Sequence, residues 1–320
     1  MSWILGIGGS KHDYAACLLR DGNVEVAVEE ERVSRKKRGY GVDPAHAASI
    51  GYCLDAYGLT IGQIEAVAVN DLLDSAMYEA LERPHFVFGH HLTHAASAWF
   101  ASPFERAAVL VVDHSGGRFR DGDRLVAETF SAYRAIGNEL TLLERVVGED
   151  ESGSPAQIPD DLRGNAGIDA LKRPRNSIGR LYARVSRRCE CVTRMGDGEL
   201  HTESGKLMGL AAFGDDRHVG YLRSLVSLGD TIHIDIGPPT AGLEAYCRRV
   251  LADAAARGER ELFAERAALA FAAQQVLEDV IVHAARRLQR LSGEHNLCLA
   301  GGVALNGVAN HRILERTDFR

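Results

Sequence analysis

The chain has 320 residues, of which 46% are hydrophobic and 25% are charged, and its formal net charge is −7. This length predicts two domains or one large α/β unit, and the acidic balance argues against general nucleic-acid binding, which depends on basic surface. No apolar run approaches the ~18 residues of a membrane span, and the six cysteines form no CxxC pair, so we expect reduced thiols in a cytoplasmic protein.

Strand and helix signals alternate through the first half of the chain. Apolar runs at residues 3–7, 15–19 and 24–28 predict a three-stranded meander, whose second turn is the hairpin signal Asp21-Gly22. Residues 44–57 predict a helix. Residues 64–69 and 85–88 predict two buried strands, and this alternation favours an α/β architecture.

A second copy of the pattern begins at residue 107. An apolar run at 107–112 is followed by a glycine-rich turn, by the hairpin signal Asp121-Gly122, and by strand signals at 124–133 and 140–147. We therefore predict two related lobes, with limits 1–104 and 105–320. The second lobe contains a polar excursion at about 149–175, a kind of segment that often lies near a binding site.

The rest of the chain is mainly helical. Apolar residues at three-to-four spacing predict helices at 177–188, 206–213, 243–256 and 264–291. A buried strand at 296–300, a Gly301-Gly302 turn and a final helix at 304–315 complete the pattern.

The segment Gly89–Ala95 gives the sharpest chemical signal. On a helix, His90 and His94 share a face and can direct two imidazoles at one ion, whereas His91 points about 100° away. Asp113 closes an apolar strand where open α/β sheets place ligand-binding side chains, and the three residues would form a partial shell for iron, manganese or zinc. The alternatives are a capped helix start with histidines bonded to backbone, and an aspartate that only begins a turn.

Glycine-rich turns follow three predicted strands, at Gly6–Gly9, Gly116-Gly117 and Gly301-Gly302. Their backbone N–H groups suit a nucleotide held between two related lobes, although each turn taken alone could be purely structural. His12 lies in the first turn and could act as a general base, or be an exposed loop histidine. The charged stretch at 30–38 is either a solvated face or an anion-binding surface.

Six motifs, taken in chain order, resemble those of the NodU/CmcH carbamoyltransferases, which act on antibiotic and nodulation-factor scaffolds. The motifs are LGIGGSKHDYAACLLRDGNVEVAVEEERVSRKK, GHHLTHAASAWFASPF, VLVVDHSGG, NSIGRLYARV, ESGKLMGLAAFG and NLCLAGGVALNGVANHRILE.

The resemblance implies an α/β fold of the actin-like ATPase (ribonuclease H-like, duplicated) type, similar to the universal tRNA threonylcarbamoyl transferase. It implies O-carbamoyl transfer from carbamoyl-adenylate to a hydroxyl of a natural-product or sugar acceptor. In the family a C-terminal domain makes carbamoyl-adenylate from ATP and carbamoyl phosphate, and a metal ion, iron by family resemblance, holds the phosphate side.

The family's functional residues transfer by motif position. The implied metal ligands are His90, His94 and Asp113; the implied catalytic residues are His12 as base and Lys37; the implied nucleotide contacts are Gly205, Lys206, Gly301, Gly302 and Asn306. Arg38 stands where the family usually has a histidine.

The sequence departs from the family at its end. Family members continue into a GDAG-type turn, whose aspartate is another metal ligand, and into the carbamoyl-adenylate domain. We therefore expect a second lobe truncated at its C-terminus, and a chain that does not make its own carbamoyl-adenylate. The alternative is a non-catalytic nucleotide- or acceptor-binding subunit that needs a partner. A sugar kinase or chaperone-type ATPase of the same fold is disfavoured, because such proteins hold a magnesium nucleotide with carboxylates and waters rather than with histidines.

Overall fold

The computed structural model describes residues 2–10, 13–39, 47–149, 176–194, 200–238 and 241–320. Among these residues, contacts divide the chain into two compact units at the Thr93–His94 bond. That bond lies inside one continuous helix, so the first turn of the helix is described together with the second unit. The predicted lobe limits of 1–104 and 105–320 stay predictions, and the polar excursion lies outside the described residues from 150 to 175.

The first unit is built on a five-stranded sheet. Its strands are β1 (Trp3–Gly8), β2 (Ala15–Arg20), β3 (Asn23–Glu29), β4 (Ala66–Asn70) and β5 (His85–Phe88), in the order β3-β2-β1-β4-β5. The first three strands are antiparallel, whereas β4 and β5 run parallel to β1. The predicted meander is therefore confirmed. Asp21 and Gly22 both adopt positive φ, at 50° and 87°, as a two-residue hairpin turn requires.

Three short helices cover this sheet or join its strands: α1 (Glu30–Ser34), α2 (Ala48–Asp55) and α3 (Ala76–Glu79). The predicted helix at 44–57 is present as α2, and residues 44–46 lie outside the described part. The core of the unit consists of apolar side chains from β1, β2, β4 and α2, including Leu5, Leu18, Cys53 and Val67, which are fully buried.

The prediction that residues 85–88 form a buried strand is wrong with respect to burial. The strand exists, but Phe86, Val87 and Phe88 are 58%, 49% and 42% exposed. The reason is topological, because β5 is the last strand of the sheet and pairs only with β4 among the described strands. A short, mostly apolar run does not distinguish a central strand from an edge strand.

The second unit contains a related sheet. The unit begins with helix α4 (His90–Phe100). The strands of its sheet are β6 (Arg106–Val112), β7 (Arg118–Asp121), β8 (Arg124–Ile136), β9 (Glu139–Glu149) and β14 (Leu297–Ala300), which comes late in the chain. Strand β8 pairs antiparallel with β6, β7 and β9, while β14 lies parallel to β6. The pairing repeats that of the first unit, where β4 lies parallel to β1, so the predicted duplication is present.

The remaining elements of the second unit include one long helix. They are α5 (Ile178–Arg188), β10 (Val192–Arg194), β11 (Leu200–Thr202), α6 (Ser204–Ala211), α7 (Val219–Ser224), β12 (Val226–Leu228), β13 (Ile232–Ile234), α8 (Leu243–Ala255), α9 (Glu259–Ser292) and α10 (Gly307–Arg316). Helix α9 packs against α5, α6, α7, α8 and α10, so its apolar residues are buried on several faces. The predicted long helix is confirmed.

Candidate metal and nucleotide site

The start of α4 is fixed by the side chain of Asp71, the residue that follows β4. The backbone amide of His90 donates to Asp71 Oδ1 at 2.9 Å, and the amide of Thr93 donates to the Gly89 carbonyl at 3.0 Å. A carboxylate at a helix N-terminus satisfies an otherwise unpaired N–H and complements the helix dipole. The helix therefore begins at His90, and His94 follows one turn later on the same face.

The structure brings together the three side chains that the sequence proposes as metal ligands. His94 Nε2 lies 3.4 Å from Asp113 Oδ2. One ligand atom from each of His90, His94 and Asp113 lies within 4.8 Å of the other two, and all three residues are partly buried. His91 is fully buried and does not belong to this set. The cluster offers two imidazole nitrogens and one carboxylate.

Asp113 directly follows β6 and is held through its own backbone. Its amide donates to the Thr129 carbonyl on β8 at 3.0 Å, which continues the pairing of the two strands past Val112. Its Oδ1 accepts a hydrogen bond from the His114 amide at 2.7 Å. Because Oδ1 is engaged by the loop itself, Oδ2 is the oxygen that faces His94.

The N-terminus of α5 supports this loop from one side. Ser177 Oγ donates to the His114 carbonyl at 2.8 Å and accepts from the Arg180 amide at 3.1 Å, so one hydroxyl caps the helix and joins it to the loop. A Cβ on Gly179 would lie 2.8 Å from His114 Cα, closer than non-bonded carbon atoms approach. The motif NSIG belongs to the family resemblance, but neither Ser177 nor Gly179 is among the site residues predicted from the sequence. A serine at a helix N-cap position with a glycine two residues later was the available signal.

The turn after β14 supports the loop from another side. Gly301 has φ +91°, and a Cβ there would lie 2.3 Å from the Val112 carbonyl oxygen. A Cβ on Gly302 would lie 3.0 Å from Asp113 Oδ1. Two proposed nucleotide contacts are thereby brought against a proposed metal ligand. Gly301 is needed at this turn because a side chain would displace the backbone of Val112, and a side chain at position 302 would press against Asp113 Oδ1.

Asn306 is directed into the protein. It is 8% exposed, and its Oδ1 accepts from the Ala309 amide at 3.0 Å, which caps α10. Its amide also pairs with Gln274 of α9. Its side-chain bonds therefore hold the turn and the helix that follows.

Gly205 and Lys206 lie in the first turn of α6 and are exposed. Lys206 Nζ donates to Thr193 Oγ1 on β10 at 3.4 Å. Lys206 is thus joined to β10, whereas the 301–306 turn lies against Asp113. The proposed role of these two residues in nucleotide binding stays a prediction.

The catalytic predictions fall in the first unit. His12 lies outside the described residues. Lys37 is exposed, in a short 3₁₀ turn that ends at Gly39. The amide of Asp13 donates to the Arg38 carbonyl at 2.6 Å, so the turn that carries Lys37 lies against the residue that follows His12 in the sequence.

The charged stretch at 30–38 is not uniformly solvated. Glu30 is 1% exposed, and its Oε2 accepts from the Ser49 amide at 2.7 Å, at the start of α2. Glu31 Oε2 accepts from the Arg38 amide at 2.7 Å. These two carboxylates therefore stabilise backbone within the unit.

Solved structures with the same fold include two HypF proteins. The structure of HypF from T. kodakarensis matches with a TM-score of 0.55 at 15% identity, over 98% of this chain and 43% of that one. Full-length HypF in a phosphate- and nucleotide-bound form matches with a TM-score of 0.53 at 14% identity, over 98% of this chain and 50% of that one. The fold is therefore of the actin-like ATPase type, as the resemblance implied. None of the described helices is long and apolar enough to cross a membrane.

Sequence comparison gives the family. The carbamoyltransferase N-terminus model matches residues 68–320. An uncharacterized Synechocystis protein is 27% identical over 100% of this chain and 54% of its own length. The nodulation protein NolNO of Sinorhizobium fredii is 28% identical over 97% of this chain and 43% of its own length. The chain thus spans about half the length of these relatives. It belongs to the carbamoyltransferase N-terminus family, the NodU-like family that its motifs resemble.

Proposed function

We propose that this chain transfers a carbamoyl group from carbamoyl-adenylate to a hydroxyl of a natural-product or sugar acceptor, with a divalent metal held by His90, His94 and Asp113. The observation that carries the proposal is the convergence of these three side chains within 4.8 Å, in a chain of the carbamoyltransferase N-terminus family.

The donor set fits a divalent transition metal. Two ligands bound to one ion at about 2.0–2.2 Å each lie about 3–4 Å apart, and His94 Nε2 and Asp113 Oδ2 are separated by 3.4 Å. Two histidines and one carboxylate with open positions are the ligand set of many non-haem iron(II) sites, so we propose iron(II). A cation bound there supplies positive charge to phosphate oxygens of the nucleotide.

The loop beside Asp113 has a polar group suited to phosphate. Ser115 Oγ is buried and has no hydrogen-bond partner in the described part of the chain. A buried hydroxyl without a partner is costly unless a ligand satisfies it. The Gly116 amide is engaged with the Glu128 carbonyl at 2.7 Å, which fixes the turn around Ser115. We propose that Ser115 donates to a phosphate oxygen of the adenylate.

The proposed reaction requires no covalent catalysis by the protein. Carbamoyl-adenylate is a mixed anhydride, so its carbonyl carbon is already activated, and the protein must orient it, remove the acceptor proton and stabilise the oxyanion. We propose His12 as the base, because the reference pKa of an imidazole lies near neutral pH. We propose Lys37, on the turn beside Asp13, as the second catalytic residue, with its ammonium group as a source of positive charge.

The donor itself is proposed to come from outside these 320 residues. The relatives are about twice as long as the matched region, and the source of carbamoyl-adenylate in this proposal is a carbamoyl-adenylate synthase-like domain. The chain should therefore use carbamoyl-adenylate but not ATP with carbamoyl phosphate.

The test supplies carbamoyl-adenylate to the chain loaded anaerobically with iron(II), with an aminoglycoside, a macrolide, a cephem and a sugar as acceptors. AMP release and carbamoylated product are measured by chromatography and mass spectrometry. Asp113→Asn should lower product formation at least about 100-fold. Asp123→Asn is the matched control, since Asp123 is exposed in the turn between β7 and β8, and it should retain full activity.

Three results would count against the proposal. Equal product formation in wild type and Asp113→Asn would show that the reaction does not depend on the proposed metal site. Absence of product from supplied carbamoyl-adenylate with every acceptor would favour the non-catalytic subunit. Product from ATP and carbamoyl phosphate alone would contradict the need for a separate adenylate-forming domain.

A further inference from the structure

A buried polar network lies beneath the turn that contacts Asp113. Gln274 lies in the middle of α9, is 4% exposed, and forms four side-chain hydrogen bonds. Its Oε1 accepts from Tyr182 Oη at 2.9 Å and from Asn306 Nδ2 at 2.8 Å. Its Nε2 donates to Asn306 Oδ1 at 3.2 Å and to Glu278 Oε1 at 3.0 Å. A side-chain amide has two acceptor positions and two N–H donors, so this amide is fully satisfied.

Two hydrogen-bond partners of Gln274 belong to the two supports of the Asp113 loop. Tyr182 lies one turn after Gly179 on α5, the helix whose N-terminus contacts His114. Asn306 ends the 301–306 turn, whose glycines contact Val112 and Asp113. Gln274 therefore connects both supports through a single side chain.

The outer part of the network anchors α10 to α9. Glu278 is 2% exposed, and its Oε2 accepts from Arg312 Nε of α10 at 3.1 Å. A buried carboxylate requires such compensation. Burial raises the pKa of Tyr182, which keeps its hydroxyl protonated and able to donate. Each polar group in the network thus has a defined hydrogen-bonding role, which fixes one relative arrangement of the three helices.

We propose that Gln274 is a positioning residue, which holds the N-terminus of α5 and the 301–306 turn in the arrangement that presents Asp113 to the metal. The side-chain hydrogen bonds of Gln274 go to Tyr182, Asn306 and Glu278, and it acts on the Asp113 loop through Tyr182 and Asn306. The metal part of this inference rests on the proposed function; the positioning of the loop does not.

The test uses Gln274→Met, which keeps the length of the side chain and removes all its hydrogen bonds. Amide hydrogen exchange of the metal-free chain is measured at His114, whose N–H bonds Asp113, and at Ala309, whose N–H bonds Asn306. Both amides should exchange at least about tenfold faster, because the elements that carry them lose their shared anchor. Amides of β4 in the first unit should be unchanged.

Cobalt(II) titration, followed by its absorption, provides the second measurement. Gln274→Met should weaken cobalt(II) binding about 10- to 100-fold, the range expected when a group behind the ligands is lost. The matched control is Gln289→Met on the same helix, where the side-chain nitrogen has no hydrogen-bond partner among the described residues. This control should leave both exchange and cobalt(II) affinity unchanged.

A milder variant covers the case in which Gln274→Met does not fold. Tyr182→Phe removes only the hydroxyl, and it should produce the same pattern of faster exchange with a smaller amplitude, about threefold. Exchange that rises equally in β4, His114 and Ala309, or unchanged exchange at His114, would overturn the positioning role. Wild-type chain that binds no cobalt(II) would refute the metal in the proposed function, and the exchange measurement would then decide the positioning role alone.

Discussion

Gly179 gives the sharpest mutational test of how the Asp113 loop is held. In Gly179→Ala, the new Cβ would lie 2.8 Å from His114 Cα and 2.9 Å from His114 N, both atoms of the backbone. Ordinary contact distances require a movement of about 0.6 Å or more at His114, the residue after Asp113. Backbone atoms cannot give way by changing a rotamer, so the loop or the whole of α5 must shift.

Two effects of opposite sign determine the stability of this variant. Replacing a glycine inside a helix with alanine ordinarily stabilises a protein by up to about 1 kcal/mol. Overpacking of a tightly packed contact costs about 1–3 kcal/mol. Since the new Cβ would also lie 3.1 Å from Val303 Cγ2, the overpacking should outweigh the helix-propensity gain, and we expect a net loss of about 1–2 kcal/mol.

The assay is equilibrium urea unfolding beside the control Gly209→Ala. Gly209 lies inside α6, where a Cβ would meet nothing within 4 Å, so this variant shows the helix-propensity gain alone. Gly179→Ala should also weaken cobalt(II) binding, because Asp113 moves with His114. Equal stabilisation of both variants would refute the close packing of α5 on the loop.

Two further predictions concern buried titratable side chains in the second unit. Glu244 is 5% exposed, and its carboxylate accepts hydrogen bonds from the guanidinium groups of Arg184, at 2.7 Å, and of Arg188. Burial alone would raise the pKa of Glu244, but these two hydrogen bonds lower it. Glu244→Gln should therefore cost about 3 kcal/mol in urea unfolding at neutral pH, and a loss under about 1 kcal/mol would contradict an ionised pair. Burial lowers the pKa of His218, although Glu265 at 2.9 Å opposes the shift. The unfolded state then takes up the proton first as the pH falls below about 6.5, so wild-type stability should decline from pH 7 to 5 more steeply than that of His218→Gln. Parallel pH profiles would show that His218 does not contribute.

The sequence was sufficient for the parts of the fold that depend on local patterns. The Asp21-Gly22 hairpin, the repeated strand order and the long helix α9 all follow from turn chemistry or apolar periodicity. The burial of β5 did not follow, because edge and centre positions depend on which strands pair later in the chain. The hairpins β10–β11 and β12–β13 were missed because strands of three residues carry almost no periodicity.

The candidate site was predictable to a different degree. His90 and His94 have helical spacing, so a shared face follows from the sequence. Asp113 lies on another element, and only the folded structure places its Oδ2 at 3.4 Å from His94. Gln274 gave no signal, because a glutamine within an apolar helix shows its role only when the partners of its four hydrogen bonds are known.

The central claim is that His90, His94 and Asp113 bind one metal ion. The most direct measurement is a crystal structure of the chain grown anaerobically with iron(II), with anomalous diffraction collected on both sides of the iron absorption edge. The account predicts a single strong anomalous peak within about 2.0–2.3 Å of nitrogen atoms of both histidines and of an oxygen of Asp113. An iron peak elsewhere on the protein, with these three side chains bonded only to one another, would contradict it.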